Sequence, residues 1–245
     1  MTLAIRKDEV EYPHAEVAVN GVGLTLLVQG AIWWAERQTL IVSDLHLEKG
    51  SSFASRGLLI PPYDTAATLK RLGALIAEWQ PKTVIALGDN FHDRFGGERM
   101  AAPDRETLSA LQDGRDWLWV TGNHDPEPQA GVGGEWVDTL ELQGLVFRHE
   151  PHPRSAQPGL FPCASEGEIC GHLHPSAKVR ARGRSVRRSC FVTDGRRLVM
   201  PAFGVLTGGL DIRDRAYKPV FGGEPVKVFM RGRDRLFRHT MSCGY

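Results

Sequence analysis

Residues 83–93 read TVIALGDNFHD, and the change of texture at position 88 decides how the chain is organised. Thr83–Leu87 is a short continuous apolar run, the mark of a strand buried on both faces. The chain then passes through Gly88 into Asp89, Asn90, His92 and Asp93. The pattern recurs. A run at 40–43 precedes Asp44-Leu45-His46, one at 117–120 precedes Gly122-Asn123-His124-Asp125, and one at 168–170 precedes Gly171-His172-Leu173-His174. His149 ends a fifth run at 145–148. Loops leaving the carboxyl ends of strands in an α/β sheet converge on one crevice, so polar groups placed there meet. Carboxylates, imidazoles and a carboxamide at five such ends describe a metal site.

Working outward, apolar runs at 16–19 and 24–29 predict two strands with Gly21 and Gly23 in the turn between them, and runs at 31–34 and 39–42 predict two more. Over 63–79 the period changes: Ala66, Leu69, Leu72, Ala74, Leu75, Ile76 and Trp79 recur at three- and four-residue spacing, which predicts an amphipathic helix. Pro61 and Pro62 precede it and Pro81 closes it. A short helix is expected over 104–112. Strands alternating with helices imply a parallel or mixed sheet with helices on its faces. Past Leu140 short β-like runs follow at 145–148, 168–170, 178–181, 189–193, 197–200 and 226–229, with Asp194-Gly195 as a hairpin turn. Residues 131–134 read as a surface loop. No composition break divides the chain, so one domain over 1–245 is expected.

Composition excludes more than it selects. With 30 Lys and Arg against 29 Asp and Glu, net charge identifies no partner, and a 42% hydrophobic content suits a globular chain. Basic residues crowd one stretch: Lys178, Arg180, Arg182, Arg184, Arg187, Arg188, Arg196 and Arg197. They would either track a DNA backbone or guard edge strands against pairing. Cys163, Cys170, Cys190 and Cys243 form no Cys-x-x-Cys pair, which argues against a zinc knuckle or a disulfide framework and for buried thiols in a reduced, cytoplasmic compartment. The first eleven residues lack the apolar core of a signal peptide, and no run is long enough to span a bilayer, so no membrane is expected. His14, His152 and His239 read as structural, and Trp33, Trp34 and Phe53 as packing residues rather than base-stacking platforms.

Asp and His donors without thiolate suit manganese, iron or zinc. So many ligands would overfill one tetrahedral ion, which points to two divalent ions bridged by a carboxylate. Gly88, Gly122 and Gly171 would let the chain turn sharply and bring neighbouring ligands close.

The ordered set Asp-x-His, Gly-Asp, Gly-Asn-His-Asp, His and Gly-His-x-His, running from Asp44 to His174, resembles the calcineurin-like metallophosphoesterases. That resemblance implies an α/β fold, a β-sandwich of mixed sheets flanked by helices (αββα), with the active site at strand C-terminal ends. It implies Asp44, His46 and His174 on one metal, Asn123, His149 and His172 on the other, Asp89 bridging both, and His124 beside the scissile phosphate. The longer strings SDLHLEKG (43–50), PPYD (61–64), GDNFHD (88–93), PAFG (201–204) and TGG (207–209) are similar to the ligase-associated DNA-damage-response branch. The branch implies a manganese-dependent phosphodiesterase or endonuclease acting on DNA, working with a helicase, an ATP-dependent DNA ligase and an exonuclease. His92 is expected to meet His124 across the pocket, as in nuclease members. Asp93 or Asp125 would orient an imidazole, and Arg94 would contact phosphate. The expected chemistry is in-line attack on phosphorus by water acidified between cations about 3.5–4 Å apart. A hydrolase of small phosphodiesters such as cyclic nucleotides is the rival enzyme. A non-catalytic scaffold is disfavoured because all seven ligands and His124 are present. Self-association is left open.

Overall fold

A computed structural model of the chain describes residues 3–4, 11–58, 60, 63–153, 167–181 and 184–242. Two sheets carry the fold. The first runs His14–Val19, Val22–Leu27, Ile32–Trp34, Thr39–Ser43, Thr83–Leu87, Asp116–Val120, Glu135–Val137. Its first four strands are antiparallel neighbours and the rest pair in parallel. The turn joining the first two strands is Asn20-Gly21, with φ of 51° and 83°, an Asn-Gly pair suited to a tight hairpin. Gly23, expected in that turn, lies inside the second strand.

Register does the work that matters for function. Ser43 pairs with Leu87 and Leu87 with Val120, so three parallel strands end at one level. Asp44, Gly88-Asp89 and Thr121-Gly122-Asn123 therefore leave the sheet side by side.

The second sheet runs Leu140–Leu142, Leu145–Arg148, Gly167–Cys170, Arg197–Val199, Arg184–Thr193, Pro225–Arg231, Leu236–Ser242, Glu11–Tyr12, with Pro175–Ala181 branching from Arg184–Thr193. Its central strands are parallel, and Arg148, Cys170 and Val199 stand in register. His149 and Gly171-His172 thus exit together, as on the first sheet. The Asp194-Gly195 turn forms as expected, Asp194 accepting from the amides of Arg196 (2.9 Å) and Arg197 (2.7 Å).

Alternation along each strand sends one set of side chains into the sandwich and the other outward. Ile41, Ile85, Leu87 and Val120 meet Phe147, Ile169, Phe191 and Leu198 between the sheets. Trp34 stacks on Phe147 there, with centroids 6.1 Å apart. On the first sheet's outer face, Leu40, Val42, Val84, Ala86 and Trp119 receive Leu69, Leu72, Leu75 and Ile76 of helix Asp64–Trp79 and Leu108 of helix Ala102–Gln112. Each fully buried Leu, Ile or Val among these stabilises the fold by about 1.5–3 kcal/mol. Ala66 and Ala74, counted with the apolar stripe from sequence, are exposed. Tyr217, Val220 and Phe221, from a 3-10 turn and the short helix Lys218–Phe221, cover part of the second sheet's other face. The layers are therefore αββα, with one outer layer thin. Among the described residues no helix is long and apolar enough to cross a membrane. Cys170 and Cys190 are buried, while Cys163, Cys243, Pro61 and Pro62 lie outside the described residues.

Candidate metal centre

All seven expected ligands converge where the two sheets' strand ends face each other. Asp44, His46 and His174 form one cluster; Asp89, His149 and His172 form a second. Asn123 joins the second, its Oδ1 lying 3.0 Å from His149 Nε2. Asp89 stands between them, its Oδ1 3.3 Å from His149 Nε2 and its Oδ2 3.8 Å from His46 Nε2. The base is buried and the rim open: Asp44 is 0% and Asp89 3% exposed, whereas Asn123 is exposed and His124 half-buried.

Backbone strain accompanies this packing. Of the ten non-glycine residues with positive φ among those described, five are Asp44, His46, Asp89, His172 and His174. Such conformations cost of order 1–3 kcal/mol each and persist only where the surroundings hold them. At Asp44 and His172, one local bond and several cross-sheet bonds do so. Ser43 Oγ donates to Asp44 Oδ2 at 2.5 Å, and the His172 amide donates to both Asp44 oxygens at 3.2 Å. The amide of Phe203 in the 201–204 string reaches the Ser43 carbonyl (2.8 Å), and that of Gly204 the Asp44 carbonyl (3.1 Å), backing the ligand strand from behind. Gly122 and Gly171 serve close approach rather than a turn. A Cβ on Gly122 would overlap the Asp89 amide, and one on Gly171 would overlap Ser43 Oγ and Asp44 Oδ2.

Three links were not foreseen from sequence. Asp125 is fully buried and ties the two parallel loops together, accepting from the amides of Asn90 (2.9 Å), Phe91 (3.1 Å) and Gly122 (3.0 Å). Thr65 Oγ1 accepts from the Glu48 amide (2.8 Å) and Asp64 from the Gly50 amide (3.1 Å), pinning the loop after His46 to the start of helix Asp64–Trp79. Helix Lys49–Ser55 lies between them, hidden in a Ser- and Gly-rich string.

The donors fit divalent cations. His149 Nδ1 faces the Leu87 carbonyl at 3.2 Å and must donate there, which leaves Nε2 facing Asn123 Oδ1, Asp89 Oδ1 and His172 Nδ1 at 3.0–3.3 Å. His46 Nε2 and His174 Nε2 likewise face each other at 3.3 Å, with Asp44 Oδ1 3.1 Å from the latter. Lone pairs this close need a proton or a cation among them. At His149 it is a proton: burial opposes the charged ring, but Asp89 and Asp44 outweigh burial and push its pKa up to about 9. A cation would displace that proton. Burial holds His46 down to about 3 and lowers His172 as well, so both rings are neutral at pH 7 with lone pairs free for ligation. Asp44 and Asp89 stay ionised: burial pushes both upward, but His174 beside Asp44 and His149 beside Asp89 more than reverse it.

His124 and His92 stack at the rim, ring centroids 5.0 Å apart and planes 26° apart. His124 Nδ1 donates to the His92 carbonyl at 2.7 Å, which turns Nε2 inward to 3.9 Å from Asp89 Oδ2. His92 Nδ1 lies 3.5 Å from His46 Nδ1, and burial, aided by Lys49, lowers its pKa to about 4. The orienting role expected of Asp93 or Asp125 falls instead to that carbonyl. Asp93 is held by Arg99 (2.8 and 2.9 Å) and the Phe95 amide, and Asp125 by the amides above. Arg94 is exposed, lying over the Phe95 ring at 6.0 Å. Within the basic run Arg197 turns inward to Glu168, which also pairs with Arg148 at 3.2 Å. Side chains of Arg180, Arg182 and Arg184 lie outside the described residues.

The family model for calcineurin-like phosphoesterases matches residues 38–187, a span that contains all seven donors. Among solved structures the chain is similar to the nuclease MPE of Pseudomonas putida, with a TM-score of 0.68 and 26% identity over 92% of this chain and 100% of that one. It also aligns with Yfce, a phosphoesterase from E. coli, over 84% of this chain and 99% of that one, at 14% identity and a TM-score of 0.36. No curated protein matches the sequence.

Proposed function

Because the chain belongs to the calcineurin-like phosphoesterase family and is thus a metal-dependent phosphoesterase, we propose that it is a two-metal phosphodiesterase that cuts DNA during repair. Asp44, His46 and His174 would hold one divalent cation, Asn123, His149 and His172 the other, and Asp89 both; manganese is the proposed ion, with iron or zinc as alternatives of the same donor preference. Bound there, such ions acidify water and neutralise charge on the phosphoryl group.

The chain's own residues do the rest. The His92 carbonyl fixes the tautomer of His124 and aims Nε2 at the centre, where it would hold the phosphoryl oxygen or protonate the leaving oxygen. Groups in that role contribute about 10²–10⁴-fold. His92, kept neutral at pH 7 by burial, supports His124 by stacking rather than by donating a proton. Asp93 acts at one remove, fixing the loop that carries His92 through Arg99. Asn123 and His124 leave the rim open to solvent.

The nuclease reading is carried by the full-length likeness to nuclease MPE, and the strings at 43–50, 88–93 and 201–204 support its placement beside an ATP-dependent DNA ligase, a helicase and an exonuclease in the cytoplasm. The test is a manganese titration of metal-free protein against single-stranded, nicked and duplex DNA, with Asp89→Ala as control. Manganese-dependent cutting of at least one DNA form, absent in the variant, is expected. Hydrolysis of small diesters with no cutting of any DNA would overturn the nuclease reading and leave the cyclic-nucleotide one.

A further inference from the structure

A cavity of about 510 Å³ opens beside the metal centre, with His174 on one lip and Arg71, Arg187, Arg231, Ser176 and Ser189 in its walls. The three arginines come from separate elements: helix Asp64–Trp79, strand Arg184–Thr193 and strand Pro225–Arg231. Their partners are unusual. Arg71 donates to the carbonyls of Phe203 (2.8 Å) and Gln29 (2.9 Å). Arg231 donates to the carbonyls of Val28 (2.7 Å) and Gln29 (2.8 Å) and to Ser189 Oγ (3.1 Å). Two guanidinium groups thus converge on the single Gln29 oxygen. Among the described residues no carboxylate lies within 4.0 Å of either. Arg187 is half-exposed at the mouth and reaches Asp211 only at 4.0 Å.

As struts, these arginines tie the turn at 28–29 to strands of the second sheet. Carbonyls satisfy donors without cancelling charge, however, and two like charges sharing one acceptor in a partly buried wall cost energy that an outside anion would recover. Burial lowers the pKa of both, and at Arg231 the charge of Arg71 lowers it further, as expected where no counter-charge is present. Each fork also keeps N–H donors beyond the bonds it makes. A phosphate diester supplies the missing charge and the paired oxygens that arginine forks match.

We propose that this cavity is a phosphate subsite that takes a backbone phosphate of the bound DNA strand, one other than the phosphate being cut. It would fix where along the strand the metal centre works. The assignment rests on the nuclease reading above. Two variants test it in manganese-loaded protein: Arg187→Glu, at an exposed position with little effect on folding expected, and Arg231→Gln, whose melting temperature is checked in parallel. Steady-state rates are compared on a single-stranded oligonucleotide and on bis(p-nitrophenyl) phosphate, which has one phosphate only. The expected result is a KM for the oligonucleotide raised about tenfold, a salt slope reduced by about one, and a loss of kcat/KM about tenfold larger than on the small diester. Equal losses on both substrates, or an oligonucleotide KM and salt slope like those of the unaltered protein, would overturn the subsite while leaving the nuclease reading in place. Failure of the unaltered protein to cut any oligonucleotide while it hydrolyses the small diester would overturn both.

Discussion

Replacing Asp125 by Asn should damage the metal centre without touching a proposed ligand. The carboxylate is 0% exposed and serves three amides, those of Asn90 and Phe91 through Oδ2 and that of Gly122 through Oδ1. Asn keeps one acceptor oxygen. If that oxygen takes the Oδ2 position, the new NH2 group faces the Gly122 N–H, and one buried donor loses its partner. An unsatisfied buried donor costs about 1–3 kcal/mol, and for a chain of this size 1 kcal/mol moves Tm by about 2–4 °C. A fall of about 4–8 °C is therefore expected for a mid-range loss of about 2 kcal/mol. The effect should not stop at stability. Gly122 sits so close to Asp89 that a side chain there would overlap the Asp89 amide, so slackening this loop shifts Asn123 and Asp89 relative to one another. Partners of this kind typically govern metal affinity by 10–100-fold. Thermal melts and calorimetric manganese titrations of the variant and the unaltered protein measure both effects. A variant equal to the unaltered protein in Tm and in manganese affinity would refute the claim that Asp125 braces the two loops.

His124→Asn should lower kcat by about 10²–10⁴-fold while bound manganese, measured by elemental analysis, is unchanged; loss of metal instead would make His124 a ligand. Gly171→Ala should force Ser43 and Asp44 apart, costing about 1–3 kcal/mol by overpacking and weakening manganese binding in calorimetry; full metal affinity would show that the close approach is dispensable. Metal-free protein should lose stability as pH rises from about 6.5 through about 9, because the His149 pair with Asp89 is fully charged below the ordinary histidine value and discharges above the raised one. Manganese affinity should climb over the same interval as the competing proton leaves, and His149→Gln should flatten the melting profile; a slope that survives in the variant would assign the titration to another group.

The site was more legible than the frame around it. Thr83–Leu87 and Leu145–Arg148 form over the spans their sequences indicate, because each is a continuous apolar run that polar residues bound sharply. That residues at such ends meet follows from sequence, since parallel register brings them level, whereas their assignment as ligands comes from the family resemblance. Glu135–Val137 and Leu140–Leu142 went unseen because they are short and only partly buried, so no alternation marks them. Leu236–Ser242, unseen as well, is interrupted by the polar run Arg238-His239-Thr240 and gains its place from pairing with Pro225–Arg231. Lys49–Ser55 has weak helix formers and is held by the Thr65 and Asp64 contacts at its start, a tertiary effect no local pattern shows. Asp93 or Asp125 reads as an imidazole partner because each adjoins a histidine in sequence; packing in three dimensions gives Asp93 to Arg99 and the Phe95 amide, and Asp125 to three loop amides. The positively charged cavity was equally invisible, as Arg71 and Arg231 are 160 positions apart.

The most direct measurement is an anomalous difference map from a crystal grown with manganese. Two peaks flanking Asp89 are predicted, one among Asp44, His46 and His174 and the other among Asn123, His149 and His172. A single peak, or none between those side chains at saturating manganese, would contradict a two-cation centre.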